Sequence, residues 1–313
     1  YEIKGLNIVG LQRKLSLKLF AFPFKLMASM KAAKKIVNEF NPDVAVGVGG
    51  YASGPLLKVA GRNGVATVLQ EQNSYPGLTN KLLAKKALKI CVAYDKMERF
   101  FPAEKIVLTG NPVREQVVEI EGKRDEAIKE FGLDPNKKTL LVIGGSLGAR
   151  TVNNAIKAAL PLFKEENLQV IWQTGKFYAD EMKAAADEFG YDGIHPSAFI
   201  TRMDLAYSAA DCIVSRAGAI SISELCLVKK PVILVPSPNV AEDHQTKNAM
   251  ALVEKDAAIL VKDVDAVESL GDAVKTLFQD EIRQKTLSEN IGKLGKRNAA
   301  NAIREVIEKL SKN

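Results

Sequence analysis

The feature that most constrains this chain is an alternation that runs twice. Short β-branched runs at residues 44–48, 65–69, 90–93 and 106–108 are separated by longer amphipathic stretches. The rhythm restarts with runs at 140–143, 170–172, 212–214, 232–235 and 258–261, each followed by a helical pattern. Strands in this setting predict parallel sheets with helices on both faces. Gly110-Asn111-Pro112 and a charged stretch up to Pro135 punctuate the space between the blocks, as a domain joint would. The expected fold class is therefore α/β: two Rossmann-like, doubly wound domains facing across a cleft. We place them at residues 1–114 and 115–298. A helix pattern at 299–313, with Ile303, Val306, Ile307 and Leu310 on one face, is expected to complete the first domain. The 313 residues suit two domains. Ligands of such sheets bind beyond the carboxyl ends of the strands, so the loops there hold the candidate site.

Composition removes several classes. Forty-four Lys and Arg against 37 Asp and Glu leave a net charge of +7. No run of about 18 apolar residues reads as a membrane span. Cys91, Cys212 and Cys226 are too few and too scattered for a disulfide scaffold or a zinc cluster, and the first residues lack a signal-peptide layout. A reducing, cytoplasmic setting is expected. Two histidines, His195 and His244, leave little room for His-based metal chemistry.

Five segments carry chemistry. Residues 140–150 run from a strand into Gly144-Gly145-Ser146-Leu147-Gly148-Ala149-Arg150. Glycines allow a tight turn and close approach, and the helix that follows aims its free N–H groups at the loop. That suits a diphosphate, with the Ser146 hydroxyl as an added donor; a plain connecting turn is the alternative. Residues 215–224 again join a strand to a helix start. Glu224 there could accept from a ribose diol, or could be a carboxylate favoured by the helix dipole. Residues 236–248 leave a third strand, and Gln245 and Asn248 offer amides to sugar hydroxyls. His244, beside Glu242 and Asp243, reads as a loop or capping histidine rather than a base.

In the first domain, residues 47–55 and 70–77 leave two neighbouring strands. They are dense in hydroxyls and amides and hold one carboxylate, Glu71, which suits a sugar or phosphate acceptor. The fifth segment, residues 11–35, interleaves Leu15, Leu19, Phe20, Phe22 and Phe24 with Lys18 and Lys25, followed by Lys31, Lys34 and Lys35. Apolar groups among cations make a surface for anionic lipid, or a core-facing helix with a basic outer face. Pro23 is expected to break a single long helix there. No nucleic-acid motif accompanies the basic excess, so no nucleic-acid partner is expected.

Read together and in order, Gly47-Val48-Gly49-Gly50-Tyr51-Ala52-Ser53-Gly54-Pro55, Gln70-Glu71-Gln72-Asn73, Leu78-Thr79-Asn80-Lys81, Gly110-Asn111-Pro112-Val113-Arg114, the 144–150 loop and Arg216-Ala217-Gly218-Ala219 through Glu224 resemble the MurG family over essentially the whole chain. These are the peripheral membrane N-acetylglucosaminyltransferases of bacterial peptidoglycan synthesis. The resemblance implies the GT-B fold, with acceptor and membrane on the first domain and the UDP-sugar on the second. It implies transfer of N-acetylglucosamine from UDP-N-acetylglucosamine to O4 of the muramoyl sugar of undecaprenyl-pyrophosphoryl-muramoyl-pentapeptide. The anomeric carbon is inverted and lipid II is formed at the cytoplasmic face of the membrane. No cofactor or metal is implied.

By matching position, Asn73, Arg114, Ser146, Ile200, Ala219, Ile220, Ser221, Ile222, Ser223, Glu224 and Gln245 would bind the donor. Ile200 would offer its backbone to uracil, Glu224 would meet the ribose and Gln245 the sugar. Tyr51, Ser53, Gln72 and Asn80 would face the acceptor. The segment around residues 15–27 would dock on the membrane. The family also carries an amino-terminal strand and a Gly-Gly-x-Gly-Gly-His loop whose histidine is a candidate base. These 313 residues contain no such loop, so the first domain reads as lacking its opening βα unit, and Glu71 remains as a base candidate. Were these 313 residues the entire molecule, the expectation would be donor binding with severely reduced or absent transfer. The competing readings are another UDP-sugar GT-B enzyme, such as a glycolipid glycosyltransferase or a UDP-N-acetylglucosamine 2-epimerase, and a non-catalytic nucleotide-sugar-binding fragment.

Overall fold

The computed structural model describes residues 2–8 and 17–311, with the side chains of the first helix described from Phe22 onward. It divides into two compact units, Tyr1–Asn111 with Asn298–Asn313, and Pro112–Arg297.

Unit 1 holds α1 (Leu17–Phe40), β1 (Val44–Gly47), α2 (Gly50–Arg62), β2 (Ala66–Glu71), α3 (Leu78–Leu83), β3 (Lys89–Val92), β4 (Ile106–Leu108) and, from the far end of the chain, the last helix (Ala299–Ser311). The four strands are parallel, in the order β1-β2-β3-β4. Side chains alternate across a strand, and the packing follows. Val68 and Cys91 meet Ile303, Val306 and Ile307 of the last helix on one face. On the other, Leu69, Ile90 and Val92 pack with Leu57, Ala84 and Ala87.

In α1, Ser29, Ala33 and Val37 form a buried stripe at a spacing of four residues. Phe24 (75% exposed), Met27 (70%), Lys31 and Lys34 share the opposite face. Pro23 sits inside this helix and does not break it, contrary to the sequence expectation. Proline costs one helical hydrogen bond and crowds the preceding turn, and the buried stripe of this 24-residue helix outweighs that local penalty. Phe22, two residues from Phe24, turns to the half-buried side, and Lys25 is likewise half-buried. Leu15 lies outside the described residues, as do the side chains of Lys18, Leu19 and Phe20.

Unit 2 begins with α4 (Glu115–Val118) and α5 (Arg124–Phe131). Then come β5 (Thr139–Ile143), α6 (Arg150–Glu165), β6 (Gln169–Gln173), α7 (Ala179–Phe189), β7 (Ile194–Ser197), α8 (Met203–Ala209) and β8 (Cys212–Ser215). It continues with α9 (Ala219–Val228), β9 (Val232–Leu234), α10 (His244–Val253), β10 (Ile259–Leu260), α11 (Ala266–Gln279) and α12 (Glu281–Leu294), after which α13 is the helix that returns to unit 1. The parallel sheet runs β10-β9-β8-β5-β6-β7. This is the 3-2-1-4-5-6 order of dinucleotide folds, with its switch point between β5 and β8. Strand β7 is absent from the sequence expectation, because His195 and Pro196 interrupt its pattern. Proline is tolerated there because β7 is the sheet edge.

A charge cluster joins α5 to α8. Arg202 clasps Asp204 with two hydrogen bonds of 3.0 Å, and Lys123 Nζ donates to the same carboxylate at 2.9 Å. The Arg202 guanidinium first, then Lys123, hold the Asp204 carboxyl well below the usual carboxylate range. A depressed folded-state pKa adds stability above the unfolded value, about 4, and loses it as pH falls through the folded one. Asp204→Asn is therefore expected to lower Tm at pH 7, and the gap to the unsubstituted protein is expected to close in acid. Thermal melts across pH check this.

Candidate donor site

The switch point of unit 2 brings two helix starts together. After β5, Gly145 (φ 83°) and Gly148 (φ 85°) take left-handed conformations that side chains resist. Gly148 has a second constraint, since a Cβ there would meet Thr174 O and come within 2.6 Å of the Tyr178 ring. Gly175, also left-handed, lies directly against the Gly148 backbone. The chain thus packs backbone on backbone beneath the loop, leaving Ser146 exposed at its crest. Asn153 fixes the first turn of α6 from inside: its Nδ2 donates to Thr174 O at 2.8 Å, and its Oδ1 accepts from Trp172 Nε1 at 3.0 Å.

Neither α6 nor α9 has a side-chain cap at its N-terminus; Ala149 and Gly218 hold those positions. Their first N–H groups, with the positive ends of two dipoles, are left for an anionic ligand. One carboxylate ties the two loops together. Asp263 accepts from Thr151 Oγ1 of α6 at 3.0 Å and pairs with Arg216, which precedes α9. Arg216 also donates to Val235 O at 3.0 Å and Pro236 O at 3.3 Å, so it braces the third loop as well. The sequence reading missed Asn153 and Asp263, since nothing local marks a residue whose partners are far along the chain.

Both members of the Arg216–Asp263 pair are largely buried, and removing one partner of such a pair leaves an uncompensated charge. Asp263→Ala is expected to cost about 3 kcal/mol in unit 2 by loosening both loops. Denaturant unfolding checks it.

Glu224 is half-buried in α9 and accepts from Tyr207 Oη at 3.0 Å. It is the sixth residue of α9, beyond the first turn where the helix dipole favours a carboxylate. Burial pushes its pKa up, against the lowering effects of the Tyr207 hydrogen bond and the Arg114 charge. Burial likewise raises Tyr207, so the phenol stays protonated and donates. Arg114, Tyr207 and Glu224 therefore form one electrostatic group. Around it, Ile220 and Ser221 are at least partly exposed, and Ser223 Oγ donates to Ala219 O at 2.9 Å. Ile222 is buried in the core and its N–H donates to Gly218 O, so its side chain does not face a ligand. Gln245 Oε1 accepts from Ser237 N at 2.9 Å, so its amide NH2 is the end left to donate. His244 Nδ1 lies 2.8 Å from Ala241 O, turned into its own loop. Ile200 is buried just past β7.

In unit 1 the loops after β1 and β2 are braced to each other. Gln72 Nε2 donates to Val48 O at 2.9 Å, and Asn111 Nδ2 donates to Gln72 O at 3.0 Å. Glu71 differs from the sequence expectation. It is 2% exposed, and its carboxylate accepts from Asn73 N (3.0 Å), Gly77 N (3.2 Å) and Asn80 Nδ2 (2.8 Å). A buried carboxylate holding donors from three residues organises its loop rather than collecting a proton from a substrate. Asn73 is part of that arrangement. Ser53 is nearly buried and donates to Gly49 O, so its hydroxyl serves the turn. Tyr51 is 58% exposed, and Asn80 keeps a buried Oδ1 with no partner.

Two parallel-sheet units, one with dinucleotide strand order and two uncapped helix starts at its switch point, are the build of GT-B glycosyltransferases. Residues 139–304 match the glycosyltransferase family 28 C-terminal domain, and residues 1–92 match the glycosyltransferase family 28 N-terminal domain. The chain belongs to glycosyltransferase family 28. It is 58% identical over 313 residues to the UDP-N-acetylglucosamine–N-acetylmuramyl-(pentapeptide) pyrophosphoryl-undecaprenol N-acetylglucosamine transferase of Phocaeicola vulgatus, covering 99% of this chain and 83% of that protein. The enzyme of the same name from Flavobacterium psychrophilum is 53% identical, with 99% and 84% covered. The crystal structure of Acinetobacter baumannii MurG superposes with a TM-score of 0.76 at 27% identity, over 92% of this chain and 79% of that one. UDP-GlcNAc 2-epimerase from Neisseria meningitidis, at 15% identity and a TM-score of 0.63 over 96% and 84% of the two chains, shares the fold.

Proposed function

We propose that this chain transfers N-acetylglucosamine from UDP-N-acetylglucosamine to O4 of the muramoyl sugar of undecaprenyl-pyrophosphoryl-muramoyl-pentapeptide, inverting the anomeric carbon and yielding lipid II. The observation that carries the reading is the unit 2 switch point, where two uncapped helix starts flank the half-buried Glu224. A nucleoside diphosphate fits it: diphosphate on the N–H groups near Ser146 and Ser221, ribose hydroxyls on Glu224, and uracil on the backbone at Ile200. Ala219, Ile220, Ser223 and Gln245 would line the sugar, and Arg114, beside Glu224, would meet the donor. The identity with the Phocaeicola vulgatus enzyme supports the choice of sugar and acceptor.

The leaving group is UDP, so negative charge grows on its β-phosphate as the glycosidic bond breaks. Preorganised N–H groups, two helix dipoles and Arg114 oppose that charge. The reading invokes no cofactor and no divalent ion. Proton removal from the acceptor hydroxyl needs a general base. We assign Glu71 instead a positioning role for Asn73 and Asn80, with Tyr51, Gln72 and Asn80 toward the acceptor. Among the described residues no helix is long and apolar enough to cross a membrane. Phe24, Met27, Lys31 and Lys34 on the outer face of α1 support peripheral docking on the anionic cytoplasmic face.

The test supplies labelled UDP-N-acetylglucosamine with and without the lipid-linked muramoyl-pentapeptide. Label is expected in the lipid, with UDP released, only when acceptor is present. Conversion of the sugar without acceptor would overturn the reading in favour of an epimerase.

A further inference from the structure

Gln173 ends β6, at the strand-end rim of unit 2. Its carbonyl accepts from Gly144 N at 3.2 Å, and it sits in register between Ile143 and Ser197, so it adjoins both the glycine loop and the loop that leads to Ile200. The side chain is 2% exposed, and its Oε1 is buried with no hydrogen-bond partner in the protein. Other buried polar groups nearby are paired: Gln169 donates to Asp134 O and Thr139 Oγ1 at 2.9 Å, and Thr174 Oγ1 donates to Ser197 O at 3.1 Å. An acceptor left unpaired in the interior costs stability, and an apolar side chain of similar size would fill the space without that cost.

Its direction follows from strand alternation. Val170 and Trp172 pack with α6, α7 and α11, so Gln173 points to the opposite face of the sheet. Helix α8 packs on β5 without joining that cluster, so it covers the face of Gln173, and its Tyr207 holds Glu224. Neighbouring strands lie about 4.8 Å apart, which puts β6 about 10 Å along the sheet from β8, the strand that leads into α9. A nucleotide with its diphosphate at the switch point and its ribose on Glu224 extends its base toward the end of β6.

We propose that Gln173 is a base-binding residue of the donor site, its Oε1 accepting from the N3–H of uracil. The inference rests on the reading that uracil lies along the backbone at Ile200. The edge of uracil carries one N–H between two carbonyls, and that N–H needs an acceptor. Gln173 supplies one that is already stripped of water and unpaired, so the bond forms without a fresh desolvation cost. Staggered rotations of the long side chain turn the carboxamide to the strand end.

Calorimetry on the full chain compares UDP with ribose 5-diphosphate, which keeps sugar and phosphates without a base. Gln173→Leu is expected to weaken UDP about tenfold, the worth of one buried hydrogen bond, and ribose 5-diphosphate less than about twofold. Without nucleotide, the same substitution is expected to raise Tm, because it removes the unpaired acceptor. A second arm needs no substitution: N3-methyl-UDP lacks the hydrogen and is expected to bind the unsubstituted protein about tenfold more weakly than UDP. Equal loss of both ligands in Gln173→Leu would make the residue a structural support and overturn the inference, as would N3-methyl-UDP binding as tightly as UDP. Ribose 5-diphosphate binding the unsubstituted protein as tightly as UDP would overturn the uracil reading itself.

Discussion

Replacing Glu224 with alanine is expected to weaken UDP binding by roughly 10- to 100-fold while leaving the fold intact. The estimate is for hydrogen bonds from a ribose diol to a charged acceptor, whose loss costs about 1.5–3 kcal/mol. Its position makes the effect specific. Tyr207 occupies one carboxylate oxygen and holds the side chain in place, so the other oxygen is presented to ligand without a further ordering cost. Glu224→Gln is expected to fall between the two, since it keeps one acceptor and the shape. Because burial raises this carboxyl above its ordinary value, the site is protonated at a higher pH than an exposed glutamate. The diol prefers the ionised form, so UDP affinity is expected to fall as pH drops through that raised pKa. The UDP phosphates titrate too, so the diagnostic quantity is the difference between the unsubstituted protein and Glu224→Gln across pH. Calorimetric titration supplies all three comparisons.

The second large effect concerns the glycine loop. Gly148→Ala is expected to destabilise unit 2 by about 4 kcal/mol and to abolish measurable UDP binding. Two penalties coincide there. The left-handed backbone disfavours any side chain, and the added carbon collides with Thr174 O and the Tyr178 ring. Gly145→Ala is the internal control. It shares the left-handed conformation but has nothing within 4 Å of the added carbon, so only the backbone penalty of about 1 kcal/mol applies. Denaturant unfolding of the two variants separates strain from collision.

The strands that the sequence made legible are β1 to β6 and β8 to β10, and among them β5, β6, β8 and β9 are buried along their whole length. Continuous apolar runs mark them directly. Strand β7 escaped because an edge strand can carry Pro196, which a central one cannot. Pro23 misled in the opposite sense: the local rule predicted a break, and burial of one face over a long helix outweighed it. In the site, glycines and hydroxyls on strand-end loops were readable because their chemistry is local. The contacts that give them geometry were not. Asp263 lies 112 residues from Thr151, and Tyr207 approaches Glu224 from a different helix. Glu71 shows the converse. A carboxylate among amides looks free in the sequence, whereas its own neighbours Asn73, Gly77 and Asn80 fill it.

Hydrogen–deuterium exchange of the full chain with and without saturating UDP reads the donor site segment by segment. Slowed exchange is expected at residues 144–151, 199–201 and 216–224, where the uncapped helix starts and the backbone proposed to face uracil lie. Saturable UDP binding that leaves these three segments unprotected would contradict that placement.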